Sequence, residues 1–194
     1  LRYIIEPNLK KRSINYVEIG AEAEVWNSAL QTILSDRNMT IDIQHVFNLK
    51  DLIVREPAVT DAIIKKIDGN ILNPSRLENH SFLEEKILEF WDSIASFLEN
   101  GLGFYAEKEN KLISLCFSAF VADHTHAVEI ETLKEYRERK LGTAVASRFI
   151  QECTCKGIRP YWDCSPDNIG SIRLAKAVGL THEFDYQIFS YELE

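Results

Sequence analysis

Apolar residues in the first part of the chain recur at helical spacing. Between Ala21 and Ile33 they fall every three or four positions, and the same trend continues from Ile41 to Ile53. Pro57 marks the end of this region, because proline disfavours a helical conformation in the residue before it. The pattern predicts a small, mainly helical N-terminal extension over residues 1–56, in which no cluster of residues indicates chemistry.

After residue 57 the pattern alternates between strands and helices. Runs of apolar and aromatic residues predict strands, and apolar stripes behind a capping serine or asparagine predict helices. The predicted order is a strand (62–67), a helix capped by Ser81 that reaches Leu98, three strands (103–106, 112–121 and 126–132), a helix (141–155), a strand (158–164), a helix capped by Asn168 and a strand (186–193).

Composition and charge restrict the class of protein. Apolar residues make up 45% of the chain and charged residues 27%, which is typical of a soluble globular protein. The formal charge is −8 and neither half of the chain has a basic excess, so we expect no nucleic-acid partner and no anionic membrane partner. No apolar run approaches the roughly 18 residues that span a bilayer. We expect a cytoplasmic protein without a signal peptide, and the absence of an initiator methionine before Leu1 suggests that residues precede it.

The four cysteines do not form a metal-binding motif. Cys153 and Cys155 are separated by one residue, and no second cysteine pair or histidine pair follows at the spacing of zinc ligands. We therefore predict reduced, mostly buried thiols and no metal site.

The segment from Glu131 to Ala144 carries the strongest chemical signal. A strand leads through a short loop into a helix rich in small residues, and the first amides of such a helix lack intrahelical acceptors and favour an anion. Gly142 allows another group to approach the backbone closely. Four of the seven residues from Lys134 to Lys140 are basic in an otherwise acidic protein. A diphosphate-binding loop and a solvated basic turn are both consistent with this segment.

The order of elements around this loop resembles the GCN5-related N-acetyltransferase (GNAT) superfamily. The superfamily's cofactor motif is Q/R-x-x-G-x-G/A, and Arg137, Lys140 and Gly142 occupy its defined positions, with lysine in place of the first glycine. A second register, with Arg139, Gly142 and Ala144, fits the motif literally but moves the loop by two residues. We prefer the first register because it keeps the run Y-R-x-x-x-L-G-T-A.

Later segments extend the resemblance. Trp162-Asp163-Cys164 ends a strand, Asn168 opens a helix and Val178-Gly179-Leu180 closes it, as in the later segment of the superfamily. The segments 97–104 and 130–132 are similar to one bacterial branch. The match covers about residues 60–194 in the correct order. It implies an α/β fold for residues 57–194, with a mixed, mostly antiparallel central sheet flanked by helices.

The resemblance implies acetyl-CoA as the cofactor. The pantetheine arm would pair with the strand at residues 131–133, and the diphosphate would lie on the amides of residues 138–143. Asn168 and Ser171 would reach the cofactor from the second helix, although both residues also suit a capping role. The implied cofactor-binding residues are Thr132, Leu133, Arg137, Glu138, Arg139, Lys140, Leu141, Gly142, Thr143, Asn168 and Ser171.

Acetyl transfer to an amine needs a base, because only the neutral amine can attack the thioester carbon. Glu129 and Glu131 alternate with apolar residues, so both carboxylates lie on one face of the strand that leads to the loop, where the superfamily often places its base. We rank Glu131 first as the base, then Glu129, then Asp163 at the end of a later strand. His126 is a fourth candidate, and a surface position near a turn is the interpretation that we favour for it.

The residue that usually protonates the leaving thiolate in the superfamily is absent here. Many relatives carry a tyrosine seven residues after the asparagine that opens the second helix, and this position is Ala175 here. Tyr161, Tyr186 and Tyr191 are substitutes between which the spacing does not choose. A thiolate is only weakly basic, so the reaction can also proceed without a dedicated acid.

These observations predict an N-acetyltransferase that transfers acetyl from acetyl-CoA to a primary amine of a small molecule by direct attack in a ternary complex. The acidic charge suggests a cationic or amine-bearing acceptor, such as a polyamine, an aminoglycoside-like compound or an amino acid. An alternative, motivated by Lys140 and Ala175, is a catalytically weak or inactive acyl-CoA-binding regulatory module. A purely structural α/β interaction domain is a third. The oligomeric state stays open, with a homodimer as one option.

Overall fold

The computed structural model describes residues 2–12, 14–50, 58–72 and 77–193. The chain forms two compact units, a smaller one of residues 1–46, 164–168 and 183–194 and a larger one of residues 47–163 and 169–182. The elements, in chain order, are α1 (Arg2–Lys11), β1 (Tyr16–Ala21), α2 (Val25–Ile33), β2 (Met39–Asn48), β3 (Ile63–Lys66), α3 (His80–Leu88), α4 (Ile94–Asn100), β4 (Gly103–Lys108), β5 (Lys111–Ala122), β6 (Thr125–Thr132), α5 (Leu141–Lys156), β7 (Arg159–Cys164), α6 (Ile169–Ala177) and β8 (Thr181–Glu192), with 3-10 turns at Gly69–Leu72 and Lys134–Tyr136.

The larger unit contains five strands in the order β7-β6-β5-β4-β3. β6 and β7 are parallel, and each of the other neighbouring pairs is antiparallel. Glu109 and Asn110 join β4 to β5 with φ values of 52° and 62°, the backbone that a two-residue hairpin requires. In the smaller unit β1 pairs antiparallel with β8. The predicted α/β fold with a mixed, mostly antiparallel sheet is confirmed.

Helices cover both faces of the sheet in the larger unit. α3 and α4 pack on one face, where Leu83, Ile87 and Phe97 join Leu115 and Phe117 in a buried cluster. α5 packs on β4, β5 and β6 from the other face. Burial on both faces explains why β5 is an almost continuous apolar run rather than an alternation of apolar and polar residues. No helix in the described parts of the chain has the length and apolar character needed to cross a bilayer.

The helix predicted from Ser81 to Leu98 is two separate helices. α3 begins at His80, so Ser81 lies inside it instead of capping it, and α4 begins after Ser93, whose hydroxyl accepts a hydrogen bond from a helix amide. Between the helices, Trp91 Nε1 donates to a main-chain carbonyl of β5 at 2.8 Å. The cap at Ser93 and the tertiary hydrogen bond of Trp91 therefore divide an apolar stripe that is continuous in the sequence into two helices.

The N-terminal region contains strands as well as the predicted helices. Met39–Asn48 form β2 instead of the helix predicted from Ile41, and β1 was not predicted. The branched side chains of Thr40, Ile41 and Ile43 favour an extended backbone, and this preference outweighs the helical spacing. Residues 51–53 of that predicted helix lie outside the described residues, as does the boundary predicted at residue 57.

Candidate active site

The parallel strands β6 and β7 pair over three residues and then separate. Their register runs from Thr125 opposite Arg159 to Ala127 opposite Tyr161. β6 continues for five more residues, 128–132, and in the described residues β7 does not pair with these. This edge of β6 therefore presents main-chain groups to an extended ligand, which can add to it as a further strand.

The loop after β6 is held by hydrogen bonds to main-chain oxygens. The Leu133 N–H donates to the carbonyl of Ile113 at 3.0 Å. Arg137 Nε donates to the carbonyl of Thr132 at 3.1 Å, and the Arg139 guanidinium donates to that of Glu135 at 3.2 Å. The two arginines that the family resemblance assigns to the cofactor therefore also fasten the loop to the protein.

α5 begins at a residue with a left-handed backbone. Lys140 has φ 60° and ψ 11°, and its side chain makes no capping hydrogen bond. The first amide that bonds back into the helix is that of Ala144, to the carbonyl of Lys140 at 3.0 Å. The N–H groups of residues 141–143 have no intrahelical acceptor, and the helix dipole adds positive potential there. The conformation explains why glycine suits the position that Lys140 occupies.

Basic side chains surround the start of α5. Arg137, Arg139 and Lys140 are exposed, and the Arg139 guanidinium lies 5.2 Å from the ring centre of Tyr136. Their charges and the uncapped amides together favour an anion at this end of the helix.

Gly142 makes room for the protein as well as for a ligand. A Cβ at this position would lie 3.4 Å from Thr132 Oγ1 and 3.6 Å from the δ-methyl groups of Leu174. The glycine thus lets the first turn of α5 pack closely against β6 and α6. Thr132 Oγ1 is itself hydrogen-bonded to the Ser114 hydroxyl at 2.8 Å.

Replacing Lys140 by glycine is expected to raise the free energy of unfolding by about 0.5–1 kcal/mol. The left-handed conformation costs a residue with a side chain about 1–2 kcal/mol, and the entropy of glycine offsets about 0.5–1 kcal/mol of the relief. Urea denaturation measures the difference. Lys140→Ala is the control, because it removes the charge and keeps the strain, so it should give no gain. A glycine variant less stable than the alanine variant would contradict the assigned backbone.

Glu129 and Glu131 lie on the face of the sheet that α3 covers. Their cross-strand partners are Phe117 and Leu115, which belong to the buried cluster on that face. Glu131 forms an ion pair with Lys86 of α3 at 3.1 Å. The two carboxylates therefore share one face, as their spacing predicts.

The environment of the two carboxylates differs. Burial raises the pKa of Glu129 to about 6, and the negative charges of Glu131 and Glu89 add to the rise. The positive charge of Lys86 lowers the pKa of Glu129 and offsets part of this rise. The Lys86 ammonium also bonds Glu89 at 2.9 Å, and the hydrogen bond to Glu89 raises the pKa of Lys86. Sequence reasoning missed Lys86, because it lies on α3, far from β6 in the chain, and no motif marks it.

The other predicted catalytic candidates occupy different positions. Asp163 lies on β7, two residues beyond the last β6–β7 pair at Tyr161, and is partly buried. His126 is buried, not at the surface as predicted, and its Nδ1 is hydrogen-bonded to the Ser118 hydroxyl at 2.7 Å. Burial lowers the pKa of His126, which favours its neutral form.

Of the two residues predicted to reach the cofactor from the second helix, Ser171 holds that helix in place. Ser171 Oγ accepts a hydrogen bond from Trp162 Nε1 at 2.9 Å, which ties α6 to β7. Asn168 is exposed and immediately precedes α6, and its own N–H donates to the carbonyl of Ser165. Ala175 is fully buried. Among the three tyrosines considered as acids, Tyr161 is the one in the larger unit with the carboxylates.

Three of the four cysteines are buried, as predicted. All four are unpaired, and burial raises the pKa of Cys153 to about 12. Cys116 and Cys164 are also buried, whereas Cys155 is exposed.

Comparisons with a family model and with a curated protein place this chain in the same family. The family model for GNAT acetyltransferase matches residues 2–189. A curated relative, the uncharacterized N-acetyltransferase YdfB of Bacillus subtilis (strain 168), is 32% identical over 170 residues, which are 87% of this chain and 64% of that protein. The chain thus spans less than two thirds of the length of this relative.

Solved structures share the fold. A GCN5-related N-acetyltransferase-like protein from Streptococcus suis 89/1591 superimposes with a TM-score of 0.67 at 18% identity, over 95% of this chain and 75% of that chain. A GCN5-related N-acetyltransferase from Kribbella flavida gives a TM-score of 0.64 at 16% identity, over 97% of this chain and 72% of that chain. Together with the separated strands and the uncapped helix, the match of the family model over residues 2–189 shows that this chain belongs to the GNAT acetyltransferase family.

Proposed function

We propose that the protein transfers the acetyl group of acetyl-CoA to a primary amine of a small molecule within a ternary complex. The observation that carries the proposal is the carboxylate of Glu129, which is partly buried on β6 where β7 has separated from it. Its pKa of about 6 lets it accept a proton near neutral pH. The family to which the chain belongs supports acetyl transfer in general.

The residues present fit acetyl-CoA as the acetyl donor. The free edge of β6 at residues 128–132, continued by Leu133, would hold the pantetheine arm. The amides of residues 141–143, with Arg139 and Lys140, would hold the diphosphate. Bound there, acetyl-CoA supplies an activated thioester. Thr132 and Ser171 already bond other protein groups, so we assign their side chains to positioning the loop and α6.

The geometry favours Glu129 over Glu131 as the base. The carboxylate of Glu131 is engaged by the Lys86 ammonium at 3.1 Å, and this ammonium also binds Glu89. The charge of Lys86 lowers the pKa of Glu129 without a direct ion pair. Burial of Glu129 raises its pKa by more than this, so its carboxylate takes up a proton readily. A Glu129 oxygen would accept the proton from the acceptor ammonium, and Asp163 stays the third candidate.

A panel of amines tests the proposed function. We expect acetyl-CoA to raise the melting temperature of the protein and at least one primary amine to release free CoA thiol above the rate of hydrolysis. If acetyl-CoA binds and no amine gives release, the protein is an acyl-CoA-binding regulatory module instead. If acetyl-CoA neither binds nor shifts the melting temperature, both functions are excluded.

Replacing Lys86 by methionine is expected to move the acid limb of the pH profile of kcat/KM to higher pH. Lys86 lowers the pKa of Glu129, so its removal raises that pKa, and the base loses its proton only at higher pH. Lys86→Arg keeps the positive charge and is expected to leave the limb near that of the parent. An acid limb that stays in place in Lys86→Met would contradict the assignment of Glu129 as the base.

A further inference from the structure

An exposed aromatic side chain lies on the same sheet face as the candidate base. Of the ten phenylalanines, all of which are in the described residues, only Phe120 is exposed, at 61%. Its ring centre lies 5.4 Å from that of the partly buried Phe90, which lies 6.0 Å from that of the buried Phe117. Phe117 is the cross-strand partner of Glu129. Phe120 and Phe90 therefore form a partly exposed aromatic surface on the face of the sheet that carries Glu129.

A β-bulge directs Phe120 to this face. Side chains alternate along a strand, so positions 117 and 120 would ordinarily point to opposite faces of the sheet. The register between β5 and β6 shifts between Ser118 and Phe120, where Ala119 is the extra residue, and the shift returns Phe120 to the face of Phe117. Bulges re-aim side chains and are frequent next to active sites.

The charges beside this aromatic surface define what it can bind. Glu131 and Glu89 form ion pairs with Lys86, and the charges of all three residues act on Glu129, so the cluster has more negative than positive charge. An ammonium complements such a cluster. Phe120 lies opposite Ala127, two residues before Glu129 on β6, which corresponds to about 7 Å along the strand. A primary amine can span this separation when a short carbon chain links its nitrogen to an apolar group.

We propose that the acceptor is a primary amine carried on a short apolar or aromatic body. The ammonium lies at Glu129 and the body covers Phe120 and Phe90. This inference rests on the proposed acetyl transfer and specifies its substrate class. A diamine or polyamine is disfavoured, because its second ammonium would lose water on the phenyl rings.

Matched amines test the acceptor class. We compare 2-phenylethylamine with butane-1,4-diamine and spermidine at saturating acetyl-CoA and follow the release of free thiol. The expected kcat/KM for 2-phenylethylamine is about tenfold or more above the values for the other two amines. The phenyl ring of the substrate and that of Phe120 each bury part of their apolar surface in the complex, and this burial gives a preference of about this size. An equal or reversed order overturns the inference.

Phe120→Ala provides the second test. We expect it to raise KM for 2-phenylethylamine about tenfold and to change KM for methylamine by less than about twofold, since methylamine does not reach the ring. Phe120→Leu should keep most of the affinity. Ile63→Ala is the matched control, because Ile63 is also an exposed apolar residue, at 62%, on β3, which β4 and β5 separate from β6. An unchanged KM for 2-phenylethylamine in Phe120→Ala overturns the inference.

The outcomes distinguish this inference from the proposed function. If polyamines alone are acetylated, the acceptor class is wrong and acetyl transfer stands. If no amine is acetylated while acetyl-CoA binds, acetyl transfer itself is wrong. If Phe120→Ala changes the sedimentation mass of the protein and leaves KM unchanged, the aromatic surface is an interface between copies of the chain, and the inference is overturned.

Discussion

Glu129→Gln is expected to lower kcat/KM for the best amine roughly 10²–10⁴-fold, the usual contribution of a general base. The amide keeps the shape of the carboxylate and cannot accept the proton. The Kd for acetyl-CoA should change by no more than about threefold, because the Glu129 side chain lies on the sheet face that α3 covers and not at the start of α5. Steady-state thiol release measures the first quantity and calorimetry the second.

Glu131→Gln is the matched comparison on the same strand face. It removes one carboxylate from the ion pairs of Lys86, so we expect a smaller loss of kcat/KM than in Glu129→Gln. If Glu129→Gln, Glu131→Gln and Asp163→Asn all keep full activity across pH 6–9, the proton leaves through water and no side chain in this set is the base.

The loss in Glu129→Gln is not expected to come from unfolding. The folded state raises the pKa of Glu129 from 4.5 to about 6, so the stability associated with the protonated form is complete below pH 4.5 and is lost as the pH rises through 6. Above that range the buried charge destabilises the parent. We therefore expect the variant to gain about 1–2 kcal/mol in free energy of unfolding at pH 8, a range that allows for solvent screening because the carboxylate is partly exposed. A variant less stable than the parent at pH 8 would contradict the burial of this charge.

Gly142→Pro is expected to weaken the binding of acetyl-CoA tenfold or more. Proline is tolerated in the first turn of a helix, but it removes the second of the free N–H groups at the start of α5 and adds a ring where the diphosphate would lie. The loss of one charge-assisted hydrogen bond corresponds to about 1.5–3 kcal/mol. Calorimetric titration with acetyl-CoA measures the Kd.

Gly142→Ala distinguishes the loss of the Gly142 N–H donor from the loss of space beside the backbone. It keeps the N–H and adds a Cβ at 3.4 Å from Thr132 Oγ1, a contact that a small shift can relieve. We therefore expect its Kd to lie much closer to that of the parent than to that of Gly142→Pro. Equal Kd values for the parent and the proline variant would place the diphosphate elsewhere. Equal losses in both variants would assign the role of Gly142 to packing against β6 and α6.

Local signals account for much of the larger unit. The strands from Gly103 to Thr132 and helix α5 were predicted close to their observed bounds, since their apolar periodicity and turn residues agree with the fold. Gly157, with φ 67°, caps the C-terminus of α5. The helix prediction was wrong between α3 and α4, where a tertiary hydrogen bond of Trp91 competes with a continuous apolar stripe. It was wrong along β2, where the extended preference of the β-branched residues outweighs the helical spacing.

The sequence by itself determined the order of most elements of the larger unit, the basic loop before α5 and the pair of carboxylates on one face of β6, because each depends on residues close together in the chain. Only the tertiary structure decided how those carboxylates differ. Lys86 reaches Glu131 from α3, and burial raises the pKa of Glu129 to about 6. The bulge at Ala119 that turns Phe120 toward the same face depends on the pairing of β5 with β6. Burial, ion pairing and strand register depend on contacts between residues that are distant in the chain, so no local pattern of residue types predicts them.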